Sequence, residues 1–121
     1  MESKRILILD DEQEICFLLA TLLRQMGYET DYAYTLTEGM RKLTNSAPFD
    51  LVFLDLNLPD GLGHDLVPVI KDKLNNAKVV MISAHGTLLR QIQSGTYGID
   101  HFITKPFDRE NIAQVLTALD L

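Results

Sequence analysis

The stretch Leu51–Gly63, LVFLDLNLPDGLG, runs from four apolar residues into a single carboxylate, Asp55, and then into a turn. Leu51 to Leu54 is too short and too continuously apolar for an amphipathic helix. It reads as a strand covered on both faces, as the strands of parallel sheets are. The carboxyl end of that strand is Asp55. Ligands of open α/β sheets bind in the crevice outside the carboxyl ends of the strands, so an acid at this place is a functional candidate. Pro59 and Gly61 end the strand and set a loop beside it.

The same alternation of apolar strand and helical stripe extends in both directions from this segment. Upstream, Arg5 to Leu9 (RILIL) is a second short apolar run, and it too ends on acids: Asp10, Asp11 and Glu12. Ile15, Leu18, Leu19, Leu22, Leu23 and Met26 then recur at helical spacing, and Gly27 stands where a helix-ending glycine belongs. Glu29 to Ala33 is a weaker strand, and Thr35 or Thr37 caps a helix carrying Leu36, Met40 and Leu43. Downstream of Asp55, Leu66, Val67, Ile70 and Leu74 make a third stripe, with Pro68 tolerable only in its first turn. Lys78 to Ile82 is a buried strand ending on Ser83, and Thr87 to Ser94 is a short polar helix. His101 to Thr104 is the last strand, closed by Lys105 and Pro106, and Asp108 caps a final helix with Ile112, Val115, Leu116 and Leu119. The pattern is a βα unit repeated five times. It predicts an α/β fold, a doubly wound parallel sheet of order 2-1-3-4-5 flanked by five helices.

Composition narrows the function. A chain of 121 residues with 46% hydrophobic content is expected to form one domain over residues 1–121. Eleven basic against 17 acidic residues give a net charge of -6, which disfavours nucleic acid and anionic membranes as partners. No apolar run approaches the roughly 18 residues of a membrane span, and MESKRILILDDE enters its strand too soon for a signal peptide, so the expected location is cytoplasmic. The single cysteine, Cys16, excludes an internal disulfide and reads as a buried free thiol. His64, His85 and His101 lack the pairwise spacing of metal ligands and read as solvated or loop residues.

Four strands deliver polar side chains to one sheet edge: Asp10 and Asp11, Asp55, Ser83 and Lys105. Taken singly, each has an ordinary reading: the first two acids or Ser83 as helix caps, Asp55 as a strand-end acid, Lys105 as a solvated surface lysine. Their convergence favours a site. Three carboxylates in mutual reach repel by about 4 kcal/mol per pair at about 4 Å and an effective dielectric of about 20, so the cluster calls for cations. Lys105 supplies one, and a hard divalent ion such as Mg²⁺, which takes carboxylate, carbonyl and water oxygens, supplies more.

With ILILDDE, VFLDLNLPDGLG, MISAHG and FITKPF in this order and unit, the sequence resembles the receiver domain of two-component response regulators, and hence a flavodoxin-like fold, over essentially its whole length. The resemblance implies that Asp55 is the phosphoacceptor, Asp11 a direct Mg²⁺ ligand supported by Asp10, and Asn57 a ligand through its backbone carbonyl. Ser83 and Lys105 would hold phosphoryl oxygens, and Asn57 and His85 would tune the lifetime of the acyl phosphate. Ser83 and Phe102 would form the switch. Its output would be read on the fourth helix, fifth strand and fifth helix, around Tyr97, His101 and Phe102. The Lys105–Pro106 bond, of the X-Pro type that tolerates cis, is expected to be cis. The donor implied is a sensor histidine kinase or phosphotransfer protein, and the output passes to an output domain or partner protein. Such a domain is not an enzyme beyond slow self-phosphorylation and self-dephosphorylation. Ile99, at a position often alanine in the family, and QSGTYGID are departures that bear on the output surface.

Two alternatives belong to other classes. A Mg²⁺-dependent phosphohydrolase of the haloacid dehalogenase type also uses a strand-end aspartate, but it should carry D-x-D on the first strand, where Asp10 and Glu12 give D-x-E. A phosphorylation-independent interaction module would not need every site residue intact. A flavin-binding reading lacks a phosphate-cradling loop after the first strand.

Overall fold

Every residue of β3 (Leu51–Asp55) is buried, and the two clusters that receive its side chains explain why the run is continuously apolar. Leu51 and Phe53 point into one cluster, with Ile6, Ile8, Val80 and Ile82. Val52 and Leu54 point into the other, with Leu7, Leu9, Val79 and Met81. Each strand alternates sides along its length, and helices cover both faces, so neither face is left to polar residues.

The computed structural model describes residues 3–45, 47–74, 76–84 and 98–121. The chain runs β1 (Arg5–Leu9), α1 (Gln13–Gln25), β2 (Glu29–Ala33), α2 (Leu36–Asn45), β3, a short pair β4 (Asn57–Leu58) and β5 (Gly61–Leu62), a 3-10 turn (Gly63–Leu66), α3 (Val67–Lys73), β6 (Lys78–Ser83), β7 (His101–Thr104) and α4 (Arg109–Ala118). The sheet order is β2-β1-β3-β6-β7 with all neighbours parallel. This is the expected 2-1-3-4-5 order, since β4 and β5 pair only with each other. Cys16, Leu19 and Leu23 of α1 and Ile112, Val115 and Leu116 of α4 pack on one face. Leu43 of α2 and Val67 and Ile70 of α3 pack on the other.

Three local findings refine the sequence reading. The loop after Asp55 is a tight antiparallel hairpin, Asn57 opposite Leu62 and Leu58 opposite Gly61. The third helix stops at Lys73 with Leu74 at its C-cap, and Leu74 still packs against the cluster that takes Leu66, Val67 and Ile70. Helix ends follow the expected chemistry elsewhere: Gly27 takes φ +97° after α1, and Thr35 Oγ1 accepts the Glu38 amide at 3.0 Å at the start of α2. Asp108 and Asn111 form a reciprocal capping box on α4. Four α-helices lie among the described residues; the helix expected over Thr87–Ser94 falls outside them, as do His85 and Tyr97. No helix among the described residues is long and apolar enough to cross a membrane.

Candidate functional site

Parallel pairing brings the carboxyl ends of all five strands to one edge, and there the composition of the interior changes. Asp10 follows β1 directly, Asp55 closes β3 and Ser83 closes β6; these three are the buried polar or charged residues among those described. Lys105 follows β7 and reaches back over the edge. Its Nζ lies 2.9 Å from Asp10 Oδ2, 3.1 Å from Glu12 Oε1 and 3.5 Å from Asp55 Oδ2. Asp10, Asp11 and Asp55 each offer a carboxylate oxygen, all within 4.8 Å of one another. One ammonium therefore contacts three carboxylates, and Asp11 adds a fourth to the cluster.

The electrostatics follow from burial. Desolvation pushes the Asp55 carboxyl up to about 6, the nearby Asp10 charge adds to this, and Lys105 and the Asn57 backbone amide pull the other way. Burial raises Asp10 as well, opposed by the Glu12 amide and by Lys105; that amide donates to Asp10 Oδ1 at 2.9 Å. For Lys105, burial works against the charge, but its hydrogen bonds to Asp10 and Glu12 and the charge of Asp55 outweigh it and hold the ammonium above its usual range. The edge is short of positive charge and rich in oxygen donors, which is the donor set of a hard divalent cation such as Mg²⁺.

Backbone contacts fix the acids. Leu56 N donates to Ile82 O at 2.9 Å, and Gly63 N donates to Leu56 O at 2.7 Å. A Cβ on Gly63 would lie 2.0 Å from the Asp55 carbonyl oxygen, so only glycine permits the hairpin to close against the strand end. Lys105 N donates to Ser83 O at 2.8 Å, and the Lys105–Pro106 bond is cis, as expected.

The sequence-predicted residues sort clearly. Asp10, Asp11, Asp55 and Lys105 come together as described. Ser83, buried, stands at the end of the neighbouring strand. Asn57 is exposed in the hairpin with its backbone amide turned to the Asp55 carboxylate. Phe102 is half-buried on β7, opposite Met81, and lines a cleft of about 550 Å³ between β7 and α4 with Thr104, Phe107 and Gln114. Cys16 is buried, and its thiol donates to the Asp10 carbonyl at 3.3 Å. Neither acid caps α1 by its side chain; the capping position is Glu12, which makes no side-chain cap bond. Sequence reasoning missed Glu12 as a partner of Lys105 and Gly63 as the residue that admits the hairpin. The one signal for either was its place beside the acids in the quoted motifs.

Known proteins agree with this geometry. The family model described as response regulator receiver domain matches residues 6–117. The response regulator protein PilR of Pseudomonas aeruginosa is 40% identical over 100% of this chain, which covers 27% of PilR. Several other curated relatives are about twice the length of this chain. A CheY-like receiver domain protein from Methanospirillum hungatei superposes with TM-score 0.88 at 31% identity, covering 98% of this chain and 95% of that one. The response regulator TrrA of Thermotoga maritima, solved in complex with Mg²⁺–BeF, gives TM-score 0.82 at 29% identity, covering 96% and 98%. This extent of match sets aside the dehalogenase-type alternative, and with it a classical enzyme. Fold, strand-end acids and a family match over nearly all of the sheet together establish that the chain belongs to the response regulator receiver family, the signalling domains of two-component systems.

Proposed function

We propose that Asp55 is the phosphoacceptor of a signalling switch and that residues 1–121 act as one receiver unit. The observation that carries this reading is the buried Asp55 carboxylate, clustered with Asp10 and Asp11 and 3.5 Å from the Lys105 ammonium. An oxygen of Asp55 attacks the phosphorus of a phosphohistidine. The new O–P bond forms as the N–P bond breaks, and the electron pair departs on the imidazole nitrogen. Such a transfer needs positioning and charge neutralisation more than a strong nucleophile. Lys105 and the Ser83 hydroxyl hold phosphoryl oxygens. Asp11 and Asp55, with the Asn57 backbone carbonyl, would hold Mg²⁺, and Asp10 supports them while keeping Lys105 over the edge. What bound Mg²⁺ supplies there is neutralisation of charge on the transferring group.

Beyond this phosphoryl transfer the domain carries out only slow self-phosphorylation and self-dephosphorylation. Asn57 and His85 set its lifetime, His85 lying outside the described residues. Engagement of Ser83 by the phosphoryl group lets Phe102 turn toward the core it already packs against, altering the face of the helix expected over Thr87–Ser94, β7 and α4. The donor is a sensor histidine kinase or phosphotransfer protein, and the output goes to an output domain or partner protein. A net charge of -6 disfavours direct nucleic acid binding by this chain, and the cytoplasm is the compartment in which such donors act.

Acetyl phosphate with Mg²⁺ tests the assignment. Intact-protein mass measurement should find one phosphoryl adduct on the wild type, absent in Asp55→Asn and after chelation. An adduct that survives in Asp55→Asn would overturn it.

A further inference from the structure

The hairpin that follows Asp55 is anchored at its far end to a different helix. Asp60, at the tip between β4 and β5, accepts from Leu36 N at 2.8 Å, Thr37 N at 3.0 Å and Thr37 Oγ1 at 2.9 Å. These donors are the first turn of α2, more than twenty residues earlier in the chain. A helix start commonly recruits an oxygen of this kind for its unpaired amides. Here, however, α2 already has its local cap, because Thr35 Oγ1 accepts the Glu38 amide. Leu36 and Thr37 amides would otherwise face water at little cost. Stabilising α2 therefore does not account for the whole of the Asp60 contact.

What the contact does is hold the hairpin. Gly61, at φ +151°, lies so close to α2 that a Cβ there would be 2.8 Å from Leu36 Cδ1, a second sign that the tip is seated on the helix. The base of the hairpin is seated on the site. The Gly63 amide bonds to Leu56 O, Gly63 abuts the Asp55 carbonyl, and the Asn57 amide reaches the Asp55 carboxylate. A hairpin fixed at both ends cannot pivot about its base.

We propose that Asp60 is a positioning residue for the Asp55 site: by tying the hairpin tip to the first turn of α2 it sets the Asn57 backbone beside the Asp55 carboxylate. The proposal rests on the phosphoacceptor reading of Asp55 for its functional consequence, but its structural part does not. Without the tie, the hairpin opens more often, and the Asn57 amide and carbonyl spend less time where the acid and its cation need them.

The test compares Asp60→Ala and Asp60→Asn with Thr35→Ala in the full chain. Thr35→Ala removes the helix's own cap and leaves the hairpin alone, so it reports what loss of capping does by itself. In Mg²⁺-free protein, exchange of the Gly63 amide, followed by NMR, should quicken by roughly tenfold or more in Asp60→Ala, since each of the three hydrogen bonds lost is charge-assisted and one alone is on that scale in a local opening. It should not do so in Thr35→Ala beyond the change in global stability. Calorimetry should find Mg²⁺ binding weakened by about tenfold in Asp60→Ala, as for lost outer supports of metal ligands, and unchanged in Thr35→Ala. Asp60→Asn, which keeps one acceptor oxygen, should fall between and serves if the alanine variant does not fold. If Asp60 variants lose only thermal stability, as Thr35→Ala does, with Gly63 exchange and Mg²⁺ binding at wild-type values, the proposal is wrong. Failure of the wild type to load phosphate would instead indict the Asp55 reading and leave the exchange result standing.

Discussion

From Ile6 to Leu9 and from Leu51 to Leu54 every side chain is apolar and buried, whereas one residue further along each strand, at Asp10 and Asp55, the side chain is just as buried and carries a carboxylate. The body of the sheet and its carboxyl edge share strands, hydrogen-bond ladders and helices. They differ in what burial does. In the body, each fully buried large side chain stabilises the fold by roughly 1.5–3 kcal/mol relative to exposure. At the edge, the same removal from water acts against charge, and Lys105 with a few backbone amides only partly offsets it. The edge is stable because the body holds it, and it keeps unbalanced charge because the body does not neutralise it.

The difference can be broken first in the body. Phe53→Ala should cost about 3–5 kcal/mol through lost transfer energy and a cavity, read as a lower urea midpoint with little change in slope. A loss below about 1 kcal/mol would mean that this core relaxes far more than its packing implies. Gly63→Ala acts where body and edge meet. The added carbon would meet backbone at 2.0 Å, so a cost of roughly 2–3 kcal/mol is expected from forced displacement, together with phosphoryl loading reduced well beyond the loss of folded protein. Wild-type loading in a folded Gly63→Ala would show that the close approach does not matter to the site.

A smaller effect separates the edge by pH. The folded-state pKa of Asp55 is raised from 3.8 to about 6, so the folded protein binds this proton more tightly than the unfolded chain. Its contribution to stability is present below about pH 4 and is lost as pH rises through about 6. Burial raises Asp10 in the same direction, and its charge adds to the rise of Asp55. Mg²⁺-free wild type should therefore lose stability across this window relative to Asp55→Asn, by up to about 3 kcal/mol, the full equivalent of that rise. Urea denaturation at pH 4, 6 and 8 checks it, and parallel curves would remove the claim that the edge strains the fold. The smallest effect lies just past Lys105: Asp108→Ala breaks the α4 capping box and should cost about 1 kcal/mol, with phosphoryl loading unchanged, as expected of a residue on the same side of the molecule but outside the buried edge.

The residues themselves show where sequence reading reaches and where it stops. The run RILIL is bounded by Asp10 and the run LVFL by Asp55, and both boundaries recur in the fold because a strand's length and its two-sided burial are written in consecutive residues. The strand-end acids, Ser83 and Lys105 were legible for the same reason, as was the Asp108 cap, which needs only a residue three positions on. Glu12 was legible as an acid but not as a partner of Lys105, since the two are 93 residues apart. The hairpin at Asn57–Leu62 read as a loop because a two-residue ladder has no periodicity to detect.

The sequence by itself determined the five strands of the sheet, the four helices described among them, their apolar faces and the residue types at each strand end, because these depend on neighbours along the chain. Tertiary structure alone decided that Lys105 is shared among Asp10, Glu12 and Asp55, that Gly63 closes on the Asp55 carbonyl, and that Asp60 reaches α2. It also decided how far the Asp55 carboxyl rises. Desolvation and Coulomb terms depend on distances through space, and those distances exist only once parallel pairing has brought remote strand ends to one edge.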